Sequence, residues 1–232
     1  METIQTIARH NGPRGEVALQ RRLGADTNVE ELIINGVFAM DSSETSTESL
    51  LAELALPNDR ARRVLVGGLG LGYTVAAIST MDVDVIDVVE IEQCLIDWAH
   101  EGATATLAAV VADPRIRLLA GDIRLVLERL CDGPVGPWDA IVLDVDNGPD
   151  FLIHPRNRAL YTEDTLGAAY AQLAPGGTLV IWCQGPAPAL RALLEHIASS
   201  VNEYIFDVSR GERSFGYAIY TVSRGQKPQH ES

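Results

Sequence analysis

The chemistry legible in this chain lies in one glycine turn and a few acids spaced behind it. The run Arg63–Thr74 passes from an apolar strand into glycines spaced Gly68-x-Gly70-x-Gly72 and then into a helix-like stretch. Glycines at such a turn let a ligand approach the main chain and the N-terminus of the next helix, which is how α/β proteins hold nucleotides. Glu90 ends the following apolar run 18 residues after Gly72. An acid about 20 residues beyond the glycines can accept both hydroxyls of a ribose. Asp144 closes a further apolar run, and Asp146 and Asp150 follow it in an acid-rich stretch that would attract a cation. The plainer reading is that Asp144 caps a strand end and that Asp146-Asn147-Gly148-Pro149 is an ordinary turn.

Short apolar runs must position these groups. Val64–Gly67, Val83–Val89, Ile116–Leu119, Ala140–Asp144 and Thr178–Trp182 read as strands buried on both faces. Helix-like stretches lie between or after them at Tyr73–Thr80, Glu92–Glu101, Ile123–Leu130, Thr165–Leu173 and Ala187–Ser199. This alternation predicts an α/β fold with a doubly wound, mainly parallel, Rossmann-like sheet. Tyr204–Val208 and Phe215–Val222 read as a hairpin that closes the sheet with an antiparallel strand. In the first part of the chain, Glu16–Leu23 and Glu31–Met40 read as strands of a small β appendage, and a polar stretch from Asp41 to Glu48 caps a helix at Ser49–Leu56. The expected division is 1–56 for the appendage and linker helix, 57–224 for the nucleoside-binding domain and 225–232 for a frayed tail.

Composition narrows the function. With 47% hydrophobic and 22% charged residues the chain can bury a core, and a net charge of −14 argues against a nucleic-acid or anionic-membrane surface. Cys94, Cys131 and Cys183 show no metal-ligand spacing, so reduced thiols, a cytoplasmic location and no metal site are expected. No apolar run approaches the length of a membrane span, and no secretory leader is seen.

The ordered motifs resemble the spermidine synthase-like (polyamine aminopropyltransferase) branch of the class I S-adenosylmethionine-dependent methyltransferase superfamily. They are Gly67–Gly72, Val89–Glu92, Asp113–Ile116 leading to Gly121-Asp122, Trp138–Asp144, Leu160–Thr162 and Leu173–Gly177, and they span roughly residues 30 to 222. The resemblance implies a seven-stranded sheet and a donor, S-adenosylmethionine or its decarboxylated form, held over the glycine turn. Gly68, Gly70 and Gly72 would line its sulfonium side, Glu90 would take the ribose, and Asp122 with the Ile123 backbone would read the adenine. Leu71 and Ile91 complete the expected donor set, and Asp144, the expected catalytic residue, would face the reacting carbon. Asp122 also reads as the N-cap of the helix that follows it. Asp146, Asn147, His154, Tyr161 and Trp182 are the expected substrate contacts; for His154 a proton shuttle and a packing role both stand.

The departures from this family weigh on the reaction. An ungapped comparison puts Leu71 where the family's G-G-G-D-G-G loop carries its acid, Ala39 where it carries a glutamine, and Thr47 near its substrate-side tyrosine. The D-S-S-D-P loop is here Asp144-Val145-Asp146-Asn147-Gly148-Pro149. These losses tilt the expectation toward methyl transfer from the intact donor to a small molecule, such as a cationic amine. The alternatives are aminopropyl transfer from the decarboxylated donor, a silent nucleoside-binding or scaffold protein, and a nicotinamide oxidoreductase, against which the third glycine comes one residue too early. By resemblance, the appendage suggests a homodimer.

Overall fold

The structure is a computed structural model that describes residues 3–24, 27–57, 60–210 and 213–225. It opens with a four-stranded antiparallel sheet of β1 (Thr3–Gly12), β2 (Gly15–Leu23), β3 (Asn28–Ile34) and β4 (Val37–Asp41), in that order. Two of these strands were read as one, Glu31–Met40. Asn35 and Gly36 divide them with φ of 54° and 74°, the paired left-handed geometry that an Asn-Gly hairpin turn adopts. β1 escaped the reading because it is an edge strand, largely exposed and without apolar alternation.

Helix α1 (Ser46–Ala55) begins three residues before the expected start and leads to the main sheet. That sheet contains β5 (Arg60–Gly67), β6 (Asp82–Glu90), β7 (Ile116–Ala120), β8 (Trp138–Leu143), β9 (Leu173–Cys183), β10 (Val201–Arg210) and β11 (Arg213–Ser223). The strand order is β10-β11-β9-β8-β5-β6-β7, as the predicted fold requires. The first five strands in chain order pair in parallel, while β11 runs antiparallel to both β9 and β10. The expected hairpin is therefore present; Gly211 and Glu212 at its turn lie outside the described residues, as do residues 226–232 of the tail.

Alternate residues of the parallel strands enter two cores on opposite faces, which is why these strands read as unbroken apolar runs. Val64, Val66, Ile86, Val88 and Val142 pack under α1, α2 (Tyr73–Ser79), α3 (Gln93–His100) and α4 (Ala105–Ala112). Val17, Leu19 and Leu32 of the N-terminal sheet join the same core. Leu65, Ile141, Leu143, Leu179 and Ile181 pack under α5 (Ile123–Leu127), α6 (Glu163–Ala171) and α7 (Pro188–Ile197). Helix α4 was not anticipated. Its sequence, ATLAAVVA, is apolar on all sides and so lacks an amphipathic signal, but Thr104 caps it by accepting a bond from the Leu107 amide at 3.1 Å. Between β8 and α6 the chain forms a 3-10 helix at Pro155–Tyr161.

Candidate active site

Strand order reverses between β5 and β8, so the segments leaving these neighbours diverge and open a crevice beyond their carboxyl ends. The Asp144 amide donates to the Gly67 carbonyl at 3.0 Å and the Gly68 amide donates to the Val89 carbonyl at 2.9 Å, tying three strand ends together. Gly68 has φ +93°, and a Cβ there would lie 2.0 Å from the Asp144 carbonyl oxygen, so the close approach of the two loops requires glycine.

Glu90 is buried, and both of its oxygens are oriented by the backbone: Oε2 accepts the Leu69 amide at 2.7 Å and Oε1 the Glu92 amide at 2.8 Å. Burial pushes its pKa up, and these amide bonds oppose the rise. With about four lone-pair sites, the fixed carboxylate keeps capacity beyond its backbone amide bonds and can still accept from a hydroxyl. Asp144 stands one residue past β8, where Thr74 Oγ1 on the first turn of α2 donates to its Oδ2 at 2.6 Å. Burial raises its pKa ahead of the lowering effect of Thr74. Asp146 is buried as well, with Oδ1 accepting the Asn147 and Ile153 amides at 2.8 and 2.7 Å and Oδ2 accepting Asn157 Nδ2 at 2.7 Å. Its pKa is raised by burial against those bonds.

Two cavities occupy the crevice and share a neck formed by Arg14, Gly68, Glu90, Ile91, Val145 and Asn157. The outer one, about 780 Å³, runs past Gly121, Asp122 and Ile123 to the 3-10 helix and has the size of a small-molecule site. Asp122 caps α5, its side chain accepting the Arg124 amide at 2.9 Å. The inner one, about 130 Å³, suits a chain of a few atoms. It is bounded by Gly70, Asp144, Asp146, Asn147, His154 and Trp182, with Ala39, Met40, Thr47 and Glu48 on the side of the N-terminal segment. His154 caps the 3-10 helix by accepting the Arg156 amide at Nδ1, 3.2 Å away. Trp182 meets Tyr217 edge-on at 5.1 Å, and its buried indole N–H has no partner among the described residues.

Three expected site residues line neither cavity. Leu71 is fully buried in the core, and its amide donates to Met40 Sδ at 3.3 Å. The turn residue that faces the inner cavity is Gly70, where a Cβ would meet Met40 Sδ at 2.6 Å. The Met40 thioether thus fills the space that a side chain at Gly70 would take. Gly72, at the N-cap of α2 with φ +86°, packs toward Val110 and Leu107 of α4. Tyr161 packs against the core beside α6, its pKa pushed well up by burial, with Cys183, Asp146 and Asp144 adding to the rise. Other residues of the site were not foreseen. Arg14, Thr74, Asn157, Gln184 and Tyr217 reach it from distant segments, and Glu92 pairs with Arg14 at 2.8 Å. Among the described residues no three His, Cys, Asp or Glu side chains converge as metal ligands, and no helix is long and apolar enough to cross a membrane.

No family model matches the chain. It is 30% identical over 225 residues to polyamine aminopropyltransferase 2 of Pseudomonas aeruginosa, covering 89% of this chain and 60% of that protein. It superposes on a spermidine synthase in complex with the transition-state analogue AdoDATO with a TM-score of 0.78 at 16% identity, covering 97% of this chain and 75% of the other. The fold of the chain is spermidine synthase-like. The spermidine synthase of Thermotoga maritima gives a TM-score of 0.74, also at 16% identity, with 97% and 74% covered. The spermidine synthase-like fold accounts for the seven-stranded sheet, its antiparallel end strands and the small N-terminal sheet. The chain spans about 60% of the length of the curated relative it matches.

Proposed function

We propose that this protein transfers an aminopropyl group from decarboxylated S-adenosylmethionine to a small amine. The observation that carries this reading is the charge of the inner cavity. Among the described residues it is lined by six carboxylates, Glu44, Glu48, Glu90, Glu92, Asp144 and Asp146, and by a single guanidinium, Arg14, which Glu92 already binds. An intact donor would carry its own carboxylate into that field, whereas the decarboxylated donor carries only an ammonium. The expectation of methyl transfer, drawn from Leu71 and Ala39, gives way because the acids around the tail outweigh the one missing from the glycine turn. Likeness to a polyamine aminopropyltransferase supports the same choice.

The residues fit the donor. Glu90 offers a prealigned carboxylate to a hydroxyl, the Gly68 backbone permits close approach, and Asp122 and Ile123 bound the outer cavity where a base would lie. When bound, the donor supplies a sulfonium whose attached methylene is electrophilic and whose thioether departs. Asp144, held by Thr74, accepts a hydrogen bond from the incoming amine and takes up its proton as the new N–C bond forms. Asp146 holds the 147–157 loop by its bonds to Ile153 and Asn157, and Asn147 and Trp182 wall the amine. The reading divides the chain near residue 56 and includes a homodimer through the N-terminal sheet, where Ile4, Leu23 and Val37 are exposed; light scattering tests the dimer.

The test is product analysis with each donor and a series of mono- and diamines. Methylthioadenosine released in step with an aminopropylated amine is expected. Release of S-adenosylhomocysteine instead would restore methyl transfer.

A further inference from the structure

The two cavities meet at a neck crossed by one unbroken chain of side-chain bonds drawn from four segments. Glu92, at the start of α3, accepts Arg14 Nε at 2.8 Å. Arg14, on the turn joining β1 to β2, sends its Nη2 to Asn157 Oδ1 at 3.3 Å. Asn157, on the 3-10 helix, sends its Nδ2 to Asp146 Oδ2 at 2.7 Å, two residues from Asp144. Arg14 and Asn157 line both cavities. A nucleoside with its base in the outer cavity and its tail in the inner one must pass beneath this chain.

We propose that Arg14 and Asn157 form a latch across the donor, by which the N-terminal sheet holds the 3-10 helix down and fixes Asp146. Both are positioning residues. The inference rests on the donor reading above for its ligand, although the latch is present in the protein itself. Three features of the chemistry support it. The Asn157 amide is oriented from both ends, because a flip would turn its NH₂ toward a guanidinium and its oxygen toward a carboxylate. Arg14 uses two different nitrogens of its planar fork on two partners, a geometry that a lysine ammonium on a flexible stem does not reproduce. The Arg14 to Asn157 bond, at 3.3 Å, is the longest of the three, so the chain parts there, between the N-terminal sheet and the helix.

Asn157→Asp tests this with no change of volume. It keeps an acceptor for Arg14 but sets a carboxylate against the Asp146 carboxylate, within reach of His154, Arg14 and Glu92. Two measurements are made on this variant, on Arg14→Gln and on Arg14→Lys, each checked for an unchanged melting temperature. Hydrogen exchange at the 153–161 amides of the free protein reads the latch without any donor. Stopped-flow dissociation of methylthioadenosine reads it with the nucleoside in place. Faster exchange and about tenfold faster release are expected for Arg14→Gln, which removes the guanidinium that joins Glu92 to Asn157. Arg14→Lys is expected to restore less than half of that difference. For Asn157→Asp, release is expected to quicken as pH rises and both carboxylates ionise. Exchange and release within about twofold of wild type in all three variants would overturn the latch. Altered exchange with no nucleoside binding in any form, wild type included, would leave the latch standing and overturn the donor reading.

Discussion

The outer and inner halves of the crevice share six residues at their neck and differ in charge. Arg14, Arg124, Arg156 and Arg158 surround the outer half, against Glu90 and Asp122, whereas carboxylates dominate the inner half. In a chain of net charge −14 this polarity is a local arrangement rather than a reflection of composition. On the proposed reading, this polarity would orient a cationic nucleoside before any specific contact forms, with the tail inward and the base outward. The inner acids are also costly to ionise: burial raises the pKa of Glu90, Asp144 and Asp146 alike. A bound cation offsets that cost, which is the condition for a site that selects cations and holds them against exchange with water.

The largest effect that would break this contrast is loss of Asp144. Asp144→Asn keeps the shape and an acceptor for Thr74, so turnover is expected to fall about 10²–10⁴-fold while donor affinity changes far less; rapid-quench turnover beside calorimetry separates the two. Because the folded-state pKa of Asp144 is raised, its ionisation disfavours the fold once pH exceeds the ordinary carboxylate range. The variant is therefore expected to melt at or above the wild-type temperature at pH 7, with the difference vanishing near pH 4. The same rise places the acid limb of the kcat/KM profile above the usual aspartate range, and that limb disappears in Asp144→Asn. Gly68→Ala comes next. A Cβ cannot share the space of the Asp144 carbonyl, so the turn must shift, and loss of donor binding with a lowered melting temperature is expected. Glu90→Gln is expected to weaken donor binding about 10–100-fold, as befits loss of charge-assisted bonds to the sugar, and adenosine titration reads it directly.

How much of this was legible follows from how far apart the interacting residues lie. The glycine turn, Glu90 and Asp144 sit at strand ends that the apolar runs mark, so local spacing singled them out, whereas Asp122 entered through the family resemblance and as a helix N-cap. The parallel sheet followed from the alternation of those strands with helices, while the strand order is seen only in the structure. Leu71, expected at the donor, lies in the core, because a string of turn residues does not say which of them faces a cavity; Gly68 and Gly70 do so here. Met40 could be seen against Gly70 only after β4 had folded onto the turn. Thr74 and Asp144 are 70 positions apart, and Arg14 and Asn157 are 143 apart, so no periodicity joins them. Trp182 was legible as a wall because it lies next to the end of β9. Tyr161 ends the 3-10 helix half-buried against the core under α5, α6 and α7, a placement that local spacing does not reveal.

The smallest expected effect sharpens the contrast from the other side. Arg156→Gln with Arg158→Gln removes two guanidinium groups that make no bond among the described residues, and donor affinity is expected to change by about twofold or less at 0.15 M salt. A large loss there would move the selective charge from the inner half to the outer.

On the proposed reading, the inner carboxylates choose the donor. Calorimetric titration of the purified protein with S-adenosylmethionine and with its decarboxylated form, at matched pH and salt, tests it most directly. The decarboxylated compound is expected to bind at least about tenfold more tightly, with the margin shrinking in Glu48→Gln. Equal affinities, or a preference for the intact donor, would contradict the account.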